Sequence, residues 1–211
     1  MARVSQEHLE ARRRQILDGA RRCFTRNGFH ATSMQDVFRE ADLSAGAVYR
    51  YFRSKDEIVA AIAAEALETV RGSYASAVAV DPPPTPDELF GAVLGHLRKA
   101  LGESGDDGRE LPQLLVQVWG ETLRNPQLAQ ALTEGYEGLR AEWVKLVEEY
   151  QRLGWVDPDA NADFLSRALI GTVQGYFVQQ ALFGGVRPDE FQEGLRALVR
   201  MSVPRVDDDA R

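Results

Sequence analysis

The sequence predicts an all-α fold in two parts: an N-terminal three-helix head containing a helix-turn-helix, and a larger C-terminal helical domain, about nine helices in all. Three observations carry this. Apolar residues recur at helical spacing in every segment, and no stretch alternates as a strand would. Capping residues, glycines and prolines punctuate those segments. Charge also divides the chain: residues 1–55 hold 11 Lys/Arg against 6 Asp/Glu, whereas residues 56–211 hold 14 against 26.

The first helix is marked by Ile16, Leu17, Ala20, Cys23 and Phe24, one apolar stripe at i, i+1, i+4, i+7, i+8. Asn27-Gly28 supplies a left-handed stop onto which Phe29 folds back. Ser33 with Asp36 resembles a capping box and opens a short helix with Met34, Val37, Phe38 and Ala41 inward. Asp42-Leu43-Ser44 is a tight connection, and Ser44 caps a third helix over 45–52. Ser54 with Glu57 starts a fourth, through Ile58, Ile62, Ala66 and Val70. The run Asp81-Pro-Pro-Pro-Thr-Pro86 breaks the chain. Thr85, Pro86 and Glu88 then start a helix whose face is Leu89, Phe90, Val93, Leu94, Leu97 and Leu101. An acidic loop over 102–110 precedes a helix at 111–124. Asn125-Pro126 starts a helix to 153, stopped by Gly154. Asp157-Pro158 starts the next, running to 183, and the last spans 188–201.

Hydrophobic residues make up 44% and charged residues 27% of 211 residues, ordinary globular values. The N-terminus is Arg-rich with no apolar signal region, and no apolar run approaches the ~18 residues a bilayer span needs. The single Cys excludes a disulfide scaffold. The expectation is a cytoplasmic protein without a membrane partner. His8, His30 and His96 are scattered and no metal-ligand spacing occurs, so no enzyme, metal or cofactor is expected. Cys23, on the first apolar stripe, is expected to be an inert core thiol rather than a redox switch. The net charge of −7 argues against nucleic acid, but a basic head on an acidic body suggests polyanion binding at one end.

Two short helices joined by a three-residue turn after a basic helix describe a helix-turn-helix over 32–52. On the helical wheel Val48 and Phe52 face inward with Leu43. Ala45, Gly46, Tyr49 and Arg50 share the opposite face, with Arg53 one turn beyond. Two small residues there let the backbone approach a major groove, and Tyr49 and Arg50 supply phosphate and base-edge contacts. Thr32 and Ser33, at a helix start, offer N–H and hydroxyl groups to a phosphate. Lys55 and Arg53 are placed to clamp a backbone, and Arg12, Arg13 and Arg14 to reach flanking phosphate or a minor groove. Spacing alone is as compatible with plain structural packing or with a protein-interaction module.

The segment GFHATSMQDVFREADLSAGAVYRYFRSKDEIV, residues 28–59, resembles the DNA-binding region of the tetracycline-repressor (TetR) family. Its markers are Asn27-Gly28-Phe29, Ala31-Thr32-Ser33, Arg39-Glu40-Ala41, Leu43-Ser44, Tyr49, Tyr51-Phe52 and Ser54-Lys55. The resemblance implies three N-terminal helices for DNA and a larger helical domain for ligand and dimerisation. By matching position it implies DNA contacts from Thr32, Ser33, Ser44, Ala45, Gly46, Tyr49, Arg50, Tyr51 and Lys55. Asp42 stands where the family often has Gly, and tolerates the left-handed conformation. Ala45 replaces a longer or basic residue of many relatives, which shifts base reading towards Arg50 and Gln35.

On this basis a DNA-binding domain is expected at 1–55, with a helix at 56–79 connecting it to a ligand-binding and dimerisation domain at 80–204, and a disordered tail at 205–211. Residues 111–184 resemble, more weakly, C-terminal domains of the same family. The resemblance implies a homodimer through the last two helices, for which Phe164, Leu165, Ala168, Leu169, Thr172, Val173, Phe191, Leu195 and Leu198 are the candidates. Candidate pocket residues are His96, Gln117, Trp119, Tyr136, Trp143, Gln174, Tyr176 and Phe177, although aromatics at helical spacing also fill cores. The acidity of 56–211 hints at a cationic ligand. The expected function is a ligand-responsive repressor that releases a palindromic operator when an unidentified small molecule binds. A ligand-free interaction module and an activator are the alternatives.

Overall fold

A computed structural model of the chain describes residues 6–101 and 108–201. The described residues form nine helices and no strand: α1 (Gln6–Asn27), α2 (Met34–Glu40), α3 (Ala45–Tyr49), α4 (Lys55–Val78), α5 (Pro86–Leu101), α6 (Glu110–Thr122), α7 (Pro126–Arg152), α8 (Ala162–Leu182) and α9 (Pro188–Val199).

The capping chemistry sets most of these boundaries. Asn27 ends α1, Gly28 turns the chain at φ 80°, and Phe29 packs edge-on against Phe24 at 5.5 Å. The Ser33 hydroxyl accepts from the Asp36 N–H, and Asp36 accepts from the Ser33 N–H, closing the capping box of α2. Ser44 caps α3 and Ser54 caps α4. Asp42 takes φ 53°, the left-handed turn between α2 and α3. Asn125 caps α7 ahead of Pro126, and Gly154 follows its end at φ 73°.

Several boundaries differ from expectation, among them the sixth helix, which spans Glu110–Thr122 rather than 111–124. The third helix ends at Tyr49 rather than 52, because the chain turns so that Phe52 enters the core. The eighth begins at Ala162 rather than at Asp157-Pro158. Asp157 instead closes its own turn onto the Asp159 and Ala160 N–H groups, the Gln151 side-chain amide donates to three carbonyls of that turn, and Asn161 is the cap. The last ends at Val199 rather than 201. Most of the acidic 102–110 loop and all of the 205–211 tail lie outside the described residues.

Two hydrophobic cores form. One joins Ile16, Leu17, Ala20 and Phe24 of α1 to Val37, Val48 and Phe52, to Ile58, Val59, Ile62 and Ala63 of α4, and to Leu114, Val118 and Leu128. The other fills the C-terminal helices around Trp143, Tyr176, Leu146 and Leu89. Helix α4 belongs to both, packing on α1 at its start and on α5 and α7 along its length. Polar contacts reinforce the α1–α4 junction: Glu65 accepts from Arg13 and from Arg21, and Arg21 also pairs with Asp18. Arg21 is 6% exposed, so an unpaired guanidinium there would be costly.

Candidate nucleic-acid interface and internal cavity

Helix α3 is five residues long and has one buried face. Val48 is fully buried, while Ser44, Ala45, Gly46, Tyr49 and Arg50 are exposed. Tyr49 rests edge-on against Phe38 at 5.3 Å and remains 49% exposed, so α2 holds the ring while its outer edge faces solvent. A Cβ at Gly46 would meet nothing within 4 Å. The chain's own packing therefore gives no reason for a glycine inside this helix, where it is unfavourable by about 1 kcal/mol relative to Ala. Among the described residues no hydrogen bond or ion pair holds the Arg50, Gln35 or Arg14 side chains, and all are exposed. Ser44, Ala45, Gly46, Tyr49, Arg50 and Gln35 thus lie on the head's open surface, with Tyr51 half-buried beside them.

Three other expected contacts are engaged within the chain. Thr32 is 1% exposed, and its hydroxyl lies within hydrogen-bonding distance of the Gly28 and Cys23 carbonyls. It ties the loop to α1 and cannot reach a phosphate. Lys55 donates to the Phe29 and Thr32 carbonyls at 2.6 and 2.8 Å and sits 4.3 Å from the Phe29 ring centroid. It is the clasp of the loop before α2 rather than a free cation. Ser33 lies on the surface, but its N–H and hydroxyl both donate to Asp36. Those bonds, the hydroxyl first, hold the Asp36 carboxyl below its ordinary range, so a carboxylate already occupies the start of α2. Arg13 is likewise committed to Glu65, with its guanidinium over Phe52. Cys23 is buried, and burial, followed by the Glu40 charge, pushes its thiol up.

Behind the head a cavity of about 400 Å³ opens between α4, α5, α6, α7 and α8. Trp119, Tyr136, Gln174 and Phe177 line it, as do Ile62, Ala63, Ala66, Leu67, Val70 and Tyr74 along α4. The other candidates lie elsewhere. Trp143 is 1% exposed and packs on Tyr74 beyond the cavity wall. Tyr176 packs edge-on against Phe90 and at a tilt against Phe191 in the core, and borders a second cavity of about 220 Å³. His96 is exposed on α5 beside the Ser73 hydroxyl. Gln117 points at the head, where its side-chain oxygen accepts the Phe29 N–H at 2.8 Å. Among the described residues no charged side chain lines the 400 Å³ cavity, so the acidity of this half gives no support to a cationic ligand.

Sequence patterning missed the α4 wall because its stripe reads simply as core. It placed Gln117 among the pocket candidates and missed its role at the head, where its partner lies 88 residues away. The cavity and the head share material: Ile62, Ala63, Leu114 and Val118 line the cavity and also belong to the head's hydrophobic core. His30 adds a polar contact at the same junction, near Glu121 of α6 and Arg124.

Of the expected dimer residues, Phe164 is 71% and Leu198 53% exposed. Ala168 is exposed beside Phe164 and Gly171 on α8. Leu165, Leu169 and Thr172 are half-buried, whereas Val173 lines the cavity. Phe191 packs on Phe90, and Leu195 is buried in the chain's own core. The exposed apolar face is therefore narrower than the sequence implied, and it extends instead to Leu182, Phe183 and Met201.

Comparison with known proteins accords with this geometry. Residues 16–62 match the family of bacterial regulatory proteins, tetR family, and residues 96–204 match the BetI-type transcriptional repressor C-terminal family. The HTH-type transcriptional regulator UidR of Escherichia coli is 25% identical over 194 residues, covering 92% of this chain and 94% of that protein. The HTH-type regulator YfiR of Bacillus subtilis is 39% identical over 186 residues, covering 86% and 85%. Among solved structures, Salmonella enterica GusR superposes with a TM-score of 0.68 at 26% identity, covering 94% of this chain and 97% of that one. Bacillus subtilis FadR in complex with stearoyl-CoA shares the fold, with a TM-score of 0.70 at 17% identity and coverage of 89% and 97%. With an exposed helix-turn-helix in front of a helical domain and both halves matched, the chain belongs to the TetR family and is a DNA-binding transcriptional regulator.

Proposed function

We propose that this regulator is a homodimeric repressor that releases a palindromic operator when a small molecule fills the 400 Å³ cavity. One observation carries the reading: Ile62, Ala63, Leu114 and Val118 are wall to the cavity and core to the head. Interiors are close-packed, so a ligand that moves these side chains moves α1 and the loop before α2 with them. The Arg13–Glu65–Arg21 pairs and the Gln117–Phe29 bond transmit the same displacement through α4 and α6. Half-site spacing on B-DNA is fixed at about 34 Å per helical turn, so a few ångströms of misfit in a dimer weakens binding.

In the head, Arg50 and Gln35 read base edges, and Tyr49, Ser44 and the backbone at Ala45-Gly46 position the helix in the major groove. Lys55 and Thr32 hold the scaffold rather than DNA. Repression is favoured by the relatives matched over the C-terminal half, whose family is described as a transcriptional repressor. A reporter fused to the DNA upstream of the chain's own gene tests the sign. Expression should fall when the chain is supplied and return with Arg50→Ala. A rise with the wild-type chain would establish the activator reading instead.

A further inference from the structure

The cavity also carries a statement about what enters it, which rests on reading it as the effector site. We infer that the effector is an uncharged, ring-bearing apolar molecule with a single hydrogen-bonding group, and that Gln174 and Tyr136 receive that group.

Among the described residues no Asp, Glu, Lys, Arg or His lines the cavity. A carboxylate or ammonium entering it leaves water and gains no countercharge, which weakens binding by about 100-fold or more. Surface carboxylates elsewhere on the acidic half do not offset this for a cation, because they remain hydrated. Rings dominate the larger lining side chains: Tyr74, Trp119, Tyr136 and Phe177. Trp119 and Phe177 face each other at 6.5 Å between centroids with their planes 78° apart, an edge-to-face frame beside which a flat ring system can lie. Polar capacity is sparse and partly committed. The Thr122 hydroxyl donates to the Trp119 carbonyl and Thr133 is an exposed residue of the lining, whereas among the described residues no hydrogen bond engages the half-buried Gln174 or Tyr136 side chains. Both residues are half-buried, on α7 and α8, which pack together. One ligand hydroxyl or carbonyl satisfies such a pair, but a polyhydroxylated molecule leaves most of its groups unpaired. A 400 Å³ space lies at the lower end of ligand pockets, and suits three or four fused rings.

Pyrene derivatives provide a size-matched test by fluorescence titration of the whole chain. 1-Pyrenemethanol should bind, and 1-pyrenecarboxylate and 1-pyrenemethylammonium should each bind about 100-fold more weakly. 1-Dodecanol should compete poorly. Gln174→Leu should leave binding of pyrene itself within about twofold while removing roughly fivefold of the alcohol's advantage over it. The proposal fails if either ion binds within tenfold of the alcohol, if dodecanol displaces it at equal concentration, or if pyrenemethanol shows no binding up to its solubility limit. A gel shift with the upstream DNA separates this from the release mechanism. Binding in the stated order that leaves DNA bound keeps the ligand class and overturns the coupling.

Discussion

Gly46 and Lys55 separate the proposed recognition surface from the scaffold behind it. Gly46 sits inside α3 with open space where a Cβ would project. Gly46→Ala should therefore raise head stability by up to about 1 kcal/mol through helix propensity. It should nevertheless weaken operator binding at least tenfold, because in the proposed docking the methyl would occupy the groove side. Thermal melts and fluorescence anisotropy on the same sample check both halves, and a variant that binds DNA normally removes the close-approach role. Lys55 makes the opposite case. Its ammonium satisfies two loop carbonyls and covers Phe29, and hydrogen bonds to a charged donor contribute about 1.5–3 kcal/mol. Lys55→Met should lower stability by roughly 2 kcal/mol, detectable by urea denaturation. Its loss of DNA affinity should come with little change in salt dependence. A stable variant with a flattened salt slope would return Lys55 to the phosphate contacts.

At the scale of elements, α1 and α2 are joined by packing and by charge. Gly19 lets α2 approach: a Cβ there would lie 3.0 Å from the Ala41 backbone nitrogen. Arg22 and Arg26 of α1 both pair with Glu40 at the end of α2. These bonds, Arg26 first, hold the Glu40 carboxyl below its ordinary value of 4.5. A depressed carboxyl stabilises the fold above the unfolded value, and that contribution is lost as pH falls through the folded one. Glu40→Gln should accordingly flatten the acid side of the stability profile below about pH 4.5, with little change in its shape above neutrality. Melting curves from pH 3 to 7 measure it, and an unchanged acid limb would show the pairs contribute nothing. These elements were largely legible in the sequence, because Ser33, Ser44, Ser54 and Asn125 are local signals with local partners. The start of α8 was not legible: Gln151, six residues before Asp157, holds the turn that displaces it. The site was only partly legible for the same reason. Exposure of Tyr49 and Arg50 follows from helical spacing, but the commitment of Thr32, Lys55 and Gln117 depends on backbone carbonyls and amides brought close by the fold. Which aromatics face a void rather than a neighbour depends on the packing of α4 to α8, which periodicity does not encode.

For the whole molecule, the exposed face of α8 and α9 connects the cavity to symmetry. Phe164, Ala168 and Gly171 on α8 and Leu198 and Met201 near the end of α9 leave apolar surface open, and such surface on a soluble chain marks an association site. A two-fold pairing there places two heads on one operator. If the proposed dimer forms through this face, Ala168→Glu should leave a monomer in analytical ultracentrifugation and reduce operator affinity by at least 100-fold, since each half-site then binds alone. A variant that remains dimeric would move the interface elsewhere. The charge division of the sequence acts at this scale too. In the proposed dimer two basic heads would meet the phosphates, with the acidic bodies held away from the duplex.

The proposed function depends on the head reading DNA through the open face of α3. Its most direct test is equilibrium binding of the full chain to the DNA upstream of its own gene, at 50 and 200 mM salt, beside a scrambled duplex. Tight binding is expected, falling by about 10³-fold or more across that range. A preference for the upstream sequence is expected too, which Arg50→Ala abolishes while the salt slope changes by no more than about two ions. Binding that is insensitive to salt, or an Arg50→Ala variant that keeps the full sequence preference, would contradict DNA reading through α3.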